Sequence, residues 1–198
     1  FIQITQRDHF DTVIAGIHKA IDLGFSPLKI NVVIQAGFND DEVMSMVKYF
    51  KDLPVNVRFI EFMPFKNNHW SKSKLIPYKN LKALIEEHYT LIPIETETSA
   101  VAKDYSIKEH LGSISFITSM TDSFCDTCNR VRVTADGHIK SCLFHPTEMS
   151  LRDAMRSGAD DIMLMKLIER VIMKKQAAHN PVDELAYVSN RPMISIGG

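Results

Sequence analysis

Apolar residues recur at helical spacing early in the chain. Phe10, Val13, Ile14, Ile17 and Ile21 fall on one stripe of residues 8–24, and Gly24 stands where such a helix would stop. The period then changes. "LKINVVIQ", residues 28–35, is an apolar run rich in β-branched side chains and predicts a buried strand. Asn39 is followed by Asp40, Asp41 and Glu42, then by the stripe Val43, Met44, Val47 and Phe50. That order predicts a second helix, N-capped by Asn39, with acidic residues in its first turn. "VNVRFIEFMP", 55–64, predicts the next strand, ended by Pro64. Helix, strand, helix, strand is the rhythm of an α/β parallel sheet or barrel.

After residue 64 the rhythm breaks. Residues 64–77 read as a loop, in which Trp70 is either an anchor or an interface residue. "YKNLKALIEEHY" predicts a short helix, and the stretch from about 90 to 142, including "SISFITSM", predicts several strands. Ser150 to Asp153 has the form of a capping box, followed by helix to about residue 178. The closing "NRPMISIGG" reads as short and extended. There is no internal repeat. The 64–77 loop divides the chain into 1–68 and 69–198.

Composition narrows the class. In 198 residues, 45% are hydrophobic and 24% charged, the balance of a soluble globular protein with a real core. A formal net charge of -1 gives no bulk attraction to nucleic acid or anionic membrane, so any bound anion must be held by local Arg and Lys. No apolar run is long enough to span a bilayer. "FIQITQRDHF" has neither an initiator Met nor the pattern of a secretory signal, and predicts a fragment that starts in mid-domain.

All three cysteines lie in "FCDTCNRVRVTADGHIKSCLF", residues 124–144. A clustered trio argues against a disulfide framework and fits a reducing compartment. The spacing Cys125-x2-Cys128-x13-Cys142 is that of metal ligands carried on a turn and on the return strand of a hairpin. Strand alternation puts Arg130, Arg132 and Thr134 on one face. A two-residue loop at Asp136-Gly137 would pair Val131 with Cys142 and turn that cysteine to the wrong face. A three-residue loop, Ala135-Asp136-Gly137, with Gly137 left-handed, sets Arg130 opposite Cys142 and Arg132 opposite Lys140. The bulged form is predicted. A structural zinc site needs a fourth ligand, which His138 or His145 would supply. A cubane on three cysteines leaves one iron open. The paired arginines favour the cubane, while spacing alone leaves both open.

"SFCDTCNRVRVTADGHIKSCLF", "VRFIEFMPF", "KINVV" and "RPMISIGG" closely resemble the GTP 3′,8-cyclase family, also called molybdenum cofactor biosynthesis protein A. These are radical S-adenosylmethionine enzymes, and the wording is nearest their eukaryotic, mitochondrial members. The resemblance covers nearly the whole chain. It implies an α/β fold, with the last strands and helices of an incomplete radical-SAM barrel in 1–68. Residues 69–198 would then be a C-terminal α+β domain carrying a [4Fe-4S] cluster. Cys125, Cys128 and Cys142 would hold that cluster, with GTP on its open iron. Lys29, Arg58, Arg130, Val131 and Arg132 would bind GTP, and Met63 would stand beside S-adenosylmethionine. The diglycine Gly197-Gly198 would enter the active site. The family's other cluster, on a Cys-x3-Cys-x2-Cys loop that cleaves S-adenosylmethionine, has no counterpart in this sequence, so the chain alone is expected to be inactive.

The implied reaction has a 5′-deoxyadenosyl radical take the ribose 3′ hydrogen of GTP. The sugar radical then closes on guanine C8, giving (8S)-3′,8-cyclo-7,8-dihydroguanosine 5′-triphosphate. The implied setting is a mitochondrial-matrix homodimer, with cyclic pyranopterin monophosphate synthase acting next and neither nucleic acid nor membrane as partner. Two plainer readings stand beside it. One is a Cys3His zinc module that contacts nucleic acid. The other is a structural role that leaves Arg130 and Arg132 idle. Lys174-Lys175 reads as a solvated pair at a helix end, and most methionines as core filler.

Overall fold

The computed structural model describes residues 1–188 and 190–196. A short helix α1 (Ile2–Thr5) and the amphipathic α2 (Phe10–Asp22) lead into strand β1 (Leu28–Ile34). Then come α3 (Val43–Tyr49), β2 (Val55–Glu61) and, past the 64–77 loop, α4 (Tyr78–Glu86). Three strands follow: β3 (Leu91–Pro93), β4 (Ala102–Ile107) and β5 (Ser113–Ile117). The cysteine segment contributes β6 (Arg132–Val133) and β7 (His138–Lys140), joined by β8 (Glu148–Ser150). The rest is helical: α5 (Leu151–Arg156), α6 (Asp161–Met173), α7 (Val182–Leu185) and α8 (Met193–Ile196).

The main sheet has the order β1-β2-β5-β4-β3, and the second has the order β6-β7-β8. β1, β2 and β5 run parallel, whereas β4 and β3 add antiparallel rungs. The sheet therefore runs unbroken across the 64–77 loop. Strand alternation separates its faces. Val55, Val57 and Phe59 of β2 join Ile114 and Phe116 of β5 in the core. Val43 and Val47 of α3, and Leu81 and Ile85 of α4, cover them. Phe59 and Phe116 are at most 1% exposed, and each such side chain contributes about 1.5–3 kcal/mol by leaving water. Gly112 lies so close to β2 that a Cβ there would sit 2.0 Å from Val55 O.

Four local expectations are corrected. β1 is not buried throughout: its residues alternate, with Lys29, Asn31 and Val33 exposed. These three stand on the opposite sheet face from the core. Asn39 makes no side-chain cap bond. Its Oδ1 instead accepts from Gln35 N at 2.9 Å, and its Nδ2 donates to Val33 O at 3.0 Å. The side chain ties off the end of β1, a use that competes with capping. The predicted long helix breaks between Arg156 and Asp161, where Asp160 Oδ1 caps α6 by accepting from Met163 N at 2.8 Å. The tail turns into α8 rather than running extended. Ser150 does cap α5, its Oγ accepting from Asp153 N at 3.0 Å.

Candidate functional site

The hairpin has the predicted bulged register. Arg132 faces Lys140 and Val133 faces Ile139. Thr134 N donates to His138 O at 2.8 Å, and Gly137 N to Thr134 O at 2.9 Å. Gly137 is left-handed, with φ 78°. A Cβ there would also come within 2.6 Å of Arg152 Cβ, so both backbone angle and space require glycine. Gly137 O accepts from Leu151 N and Arg152 N at 2.9 and 3.2 Å, which docks the turn on the start of α5.

Cys125 opens a 3-10 turn, Cys125–Thr127, and Cys128 N donates to Cys125 O at 3.3 Å. Cys142 follows β7. All three thiols are free and half-buried. They form a wall shared by two cavities of about 220 and 630 Å³. Arg58, Met63, Arg130 and Arg132 line the larger one with them. Residues far apart in sequence thus meet on one surface. Lys29 and Val131 do not line it. Lys29 is exposed on the same sheet face, one step beyond Asn31, which does line it. Val131 is 45% exposed. Gly197 and Gly198 lie outside the described residues.

The sheet explains how Arg58 gets there. Asn31, Arg58 and Ser115 stand side by side across β1, β2 and β5. On the neighbouring rung Asn56 Nδ2 donates to Ser113 Oγ and Ser115 Oγ, each at 2.7 Å, and Ser115 Oγ donates to Asp104 Oδ1 at 2.5 Å. A polar row backs the arginine. Asn31 was not singled out from the sequence, although it follows Lys29 by two residues and so shares its strand face. Ser119, Ser123, Ser141 and Met193 also reach the cavity, and nothing in their local sequence marks them.

The electrostatics favour an anion. Burial holds the Arg132 guanidinium below its usual range, and the neighbouring Arg130 cation adds to this, while Cys142 and Cys128 oppose it. Two guanidinium groups beside one partly dry wall are relieved by phosphate or carboxylate oxygens. Lys140 is 0% exposed. Its Nζ donates to Asn190 Oδ1 at 3.0 Å and lies 3.9 Å from Glu148 Oε2. Burial lowers its pKa, and Glu148 works the other way.

The donor set can be tested against a metal. Tetrahedral zinc with bonds of about 2.3 Å would draw its thiolates to about 3.8 Å of one another. Among the described residues no three His, Cys, Asp or Glu form the ligand set of a single ion. His138 Nδ1 lies 3.2 Å from Asp136 Oδ1 and lines neither cavity; His145 lines the smaller one. A cubane would spread its thiolates over separate irons, and Cys125, Cys128 and Cys142 are three free thiols on one cavity wall, the number of ligands such a cluster with one open iron would use.

Two supports went unread in the sequence. Glu61, 1% exposed, ends β2. Its carboxylate accepts from Tyr78 N at 2.9 Å, Met120 N at 2.7 Å, Thr121 N at 3.0 Å and the Thr121 hydroxyl. It thereby fixes the path from β5 toward Cys125. Lys175 is no solvated residue: its Nζ donates to Cys128 O at 2.7 Å and Arg130 O at 3.0 Å. Trp70 is a loop anchor, its Nε1 donating to Phe62 O at 2.8 Å. Asn68 Nδ2 donates to Met63 O at 2.7 Å in the same loop.

No helix of the described residues is long and apolar enough to cross a membrane. Over 196 residues the chain is 47% identical to "GTP 3′,8-cyclase, mitochondrial" of Arabidopsis thaliana, covering 98% of this chain and 50% of that protein. It is 44% identical over 195 residues to "Molybdenum cofactor biosynthesis protein 1" of Mus musculus, covering 98% of this chain and 31% of the other. It is 38% identical over 200 residues to "GTP 3′,8-cyclase" of Syntrophomonas wolfei, covering 100% of this chain and 61% of the other. The chain thus spans from about a third to three fifths of these relatives. Residues 55–181, which include β2, Arg58, all three cysteines and both arginines of the hairpin, match the Molybdenum Cofactor Synthesis C model. With more than half its length under that match, the chain belongs to the Molybdenum Cofactor Synthesis C family.

Proposed function

We propose that this chain is the cluster- and nucleotide-binding C-terminal part of a GTP 3′,8-cyclase, acting in the first step of molybdenum cofactor synthesis. One observation carries the reading: Arg58, Arg130, Arg132 and three free cysteines line a single cavity of about 630 Å³. Cys125, Cys128 and Cys142 would hold a [4Fe-4S] cluster. When bound, the cluster supplies a Lewis-acidic iron with an open position for the nucleotide.

The chain's own residues do the rest. Arg130 and Arg132 hold triphosphate or purine acceptors with their planar forks, and Arg58 approaches from the sheet with Asn31 beside it. Lys29, one step farther along that face, meets the outer phosphates. Val131 contributes its backbone between the two arginines. Met63, two residues beyond β2, would stand beside S-adenosylmethionine. With two electrons from a reductant and one proton, GTP and S-adenosylmethionine would give (8S)-3′,8-cyclo-7,8-dihydroguanosine 5′-triphosphate, methionine and 5′-deoxyadenosine. The resemblance also assigns a role in the reaction to Gly197 and Gly198, which lie outside the described residues. Apolar neighbours such as Phe62, Phe65 and Ile117 line the same cavity and limit water around a reactive intermediate.

In this reading residues 1–68 end a partial radical-SAM barrel and 69–198 carry the second cluster, with one sheet passing through both. The other cluster belongs to a part of the enzyme this chain does not span. The enzyme would work as a homodimer in the mitochondrial matrix; the name of the Arabidopsis relative, which reads mitochondrial, supports the organelle alone. Cyclic pyranopterin monophosphate synthase takes its product.

The test is anaerobic reconstitution of the chain, followed by iron and labile-sulfide analysis and GTP titration. The expected result is about four irons and four sulfides per chain, with GTP affinity reduced at least tenfold in R130A/R132A. One equivalent of zinc without labile sulfide, or GTP binding indifferent to both arginines, would refute the proposal.

A further inference from the structure

Lys175 reaches the cysteine turn from just beyond the end of α6. Its Nζ donates to Cys128 O at 2.7 Å and Arg130 O at 3.0 Å, and lies 3.4 Å from Cys128 Sγ. An ammonium group has three protons to give, and here three acceptors surround it. The two carbonyls belong to residues that bracket Asn129, so one cation fixes the turn that sets both Cys128 and Arg130. The side of approach matters. Lys175 lines the smaller cavity, whereas Arg130 and Arg132 line the larger one, with the three cysteines between. Lys175 therefore reaches the thiols from the side of the smaller cavity, touching Arg130 at its backbone carbonyl.

We propose that Lys175 is a positioning residue that aims Cys128 and, through an N–H···S hydrogen bond, sets the reduction potential of the centre that Cys128 ligates. This rests on the reading that the three cysteines hold a [4Fe-4S] cluster. A cationic donor at a ligand sulfur stabilises added negative charge, and hydrogen bonds to the sulfurs are among the features that set cluster potentials. Lys174, its exposed neighbour, provides a charge-matched control.

The experiment reconstitutes the wild-type chain, K175M, K175R and K174M anaerobically. It measures labile sulfide, the midpoint potential by EPR-monitored redox titration, and hydrogen exchange over residues 125–132. In K175M the one-electron equilibrium is expected to move about tenfold toward the oxidised cluster, a fall of about 59 mV, with faster exchange in the turn. K175R and K174M stay within about twofold of wild type, a shift of less than about 20 mV. If K175M fails to assemble a cluster, assembly in K175R still supports the proposal, and loss in both overturns it. A wild-type potential in cluster-loaded K175M overturns the role of Lys175 alone. A wild-type chain without labile sulfide overturns the cluster reading itself, and this proposal with it.

Discussion

Arg191 joins Glu148 through Nε at 2.8 Å and through a second nitrogen, and its remaining nitrogen donates to Asp136 Oδ2 at 2.7 Å. One guanidinium thus links the C-terminal segment to the turn between β6 and β7 and to the start of β8. Asn190 adds to the latch: its Oδ1 accepts from Lys140 Nζ at 3.0 Å, and its Nδ2 donates to Leu143 O at 2.9 Å. The latch sets the start of the tail whose Met193 lines the larger cavity.

R191M should lower the melting temperature of the chain, since hydrogen bonds to charged partners are worth more than neutral ones. A double-mutant cycle with E148A should show clearly non-additive losses. Thermal unfolding measures both. Carboxypeptidase digestion of R191M should also run faster past residue 193, because the tail would then lack its anchor. Additive effects of the two substitutions would deny the latch.

Glu61 predicts a larger loss. E61A would leave three backbone N–H groups and a hydroxyl without their acceptor, a cost of about 3 kcal/mol or more. E61Q keeps one oxygen and should recover part of it. Urea unfolding should place the midpoints in the order wild type, E61Q, E61A. A near-wild-type E61A would show that water or neighbouring groups replace the carboxylate.

Asp136 predicts a pH dependence. The Thr134 hydroxyl first, and Arg191 next, hold its carboxyl well below the usual carboxylate range. A depressed folded-state pKa means the unfolded chain binds the proton first. The stabilisation is therefore present above the unfolded value of about 3.9, and it is lost as pH falls from there through the folded value. D136N should lower the melting temperature at neutral pH and flatten its fall between about pH 4 and pH 2. Melting curves across that range check the slope, and parallel acid limbs would assign the effect to other carboxylates.

The register of the cysteine hairpin shows how far local sequence reaches. Asp136-Gly137 and the alternation of Arg130, Val131 and Arg132 are chain-local signals, and they specify the bulged turn that the structure has. Helix α2, strands β1 and β2 and the Ser150 cap were legible for the same reason: each depends on period or on a few adjacent residues. Asn39 misled because its side chain has two local options, and the end of β1 took the one that capping would have used.

Glu61 and Lys175 could not be read from sequence. Glu61 takes the next buried position after Val55, Val57 and Phe59, where the alternation calls for an apolar residue, and its four donors come from residues 78, 120 and 121. Lys175 meets carbonyls of residues 128 and 130. Such contacts exist only after distant segments have docked. By itself the sequence set the spacing of the cysteines and arginines and the register of the hairpin that presents them, because spacing and turn preference act along the chain. Only the tertiary structure brought Arg58 from the sheet, Met63 from its loop and Met193 from the tail to the cysteine wall. That meeting depends on packing between strands and helices whose separation in sequence no local pattern encodes.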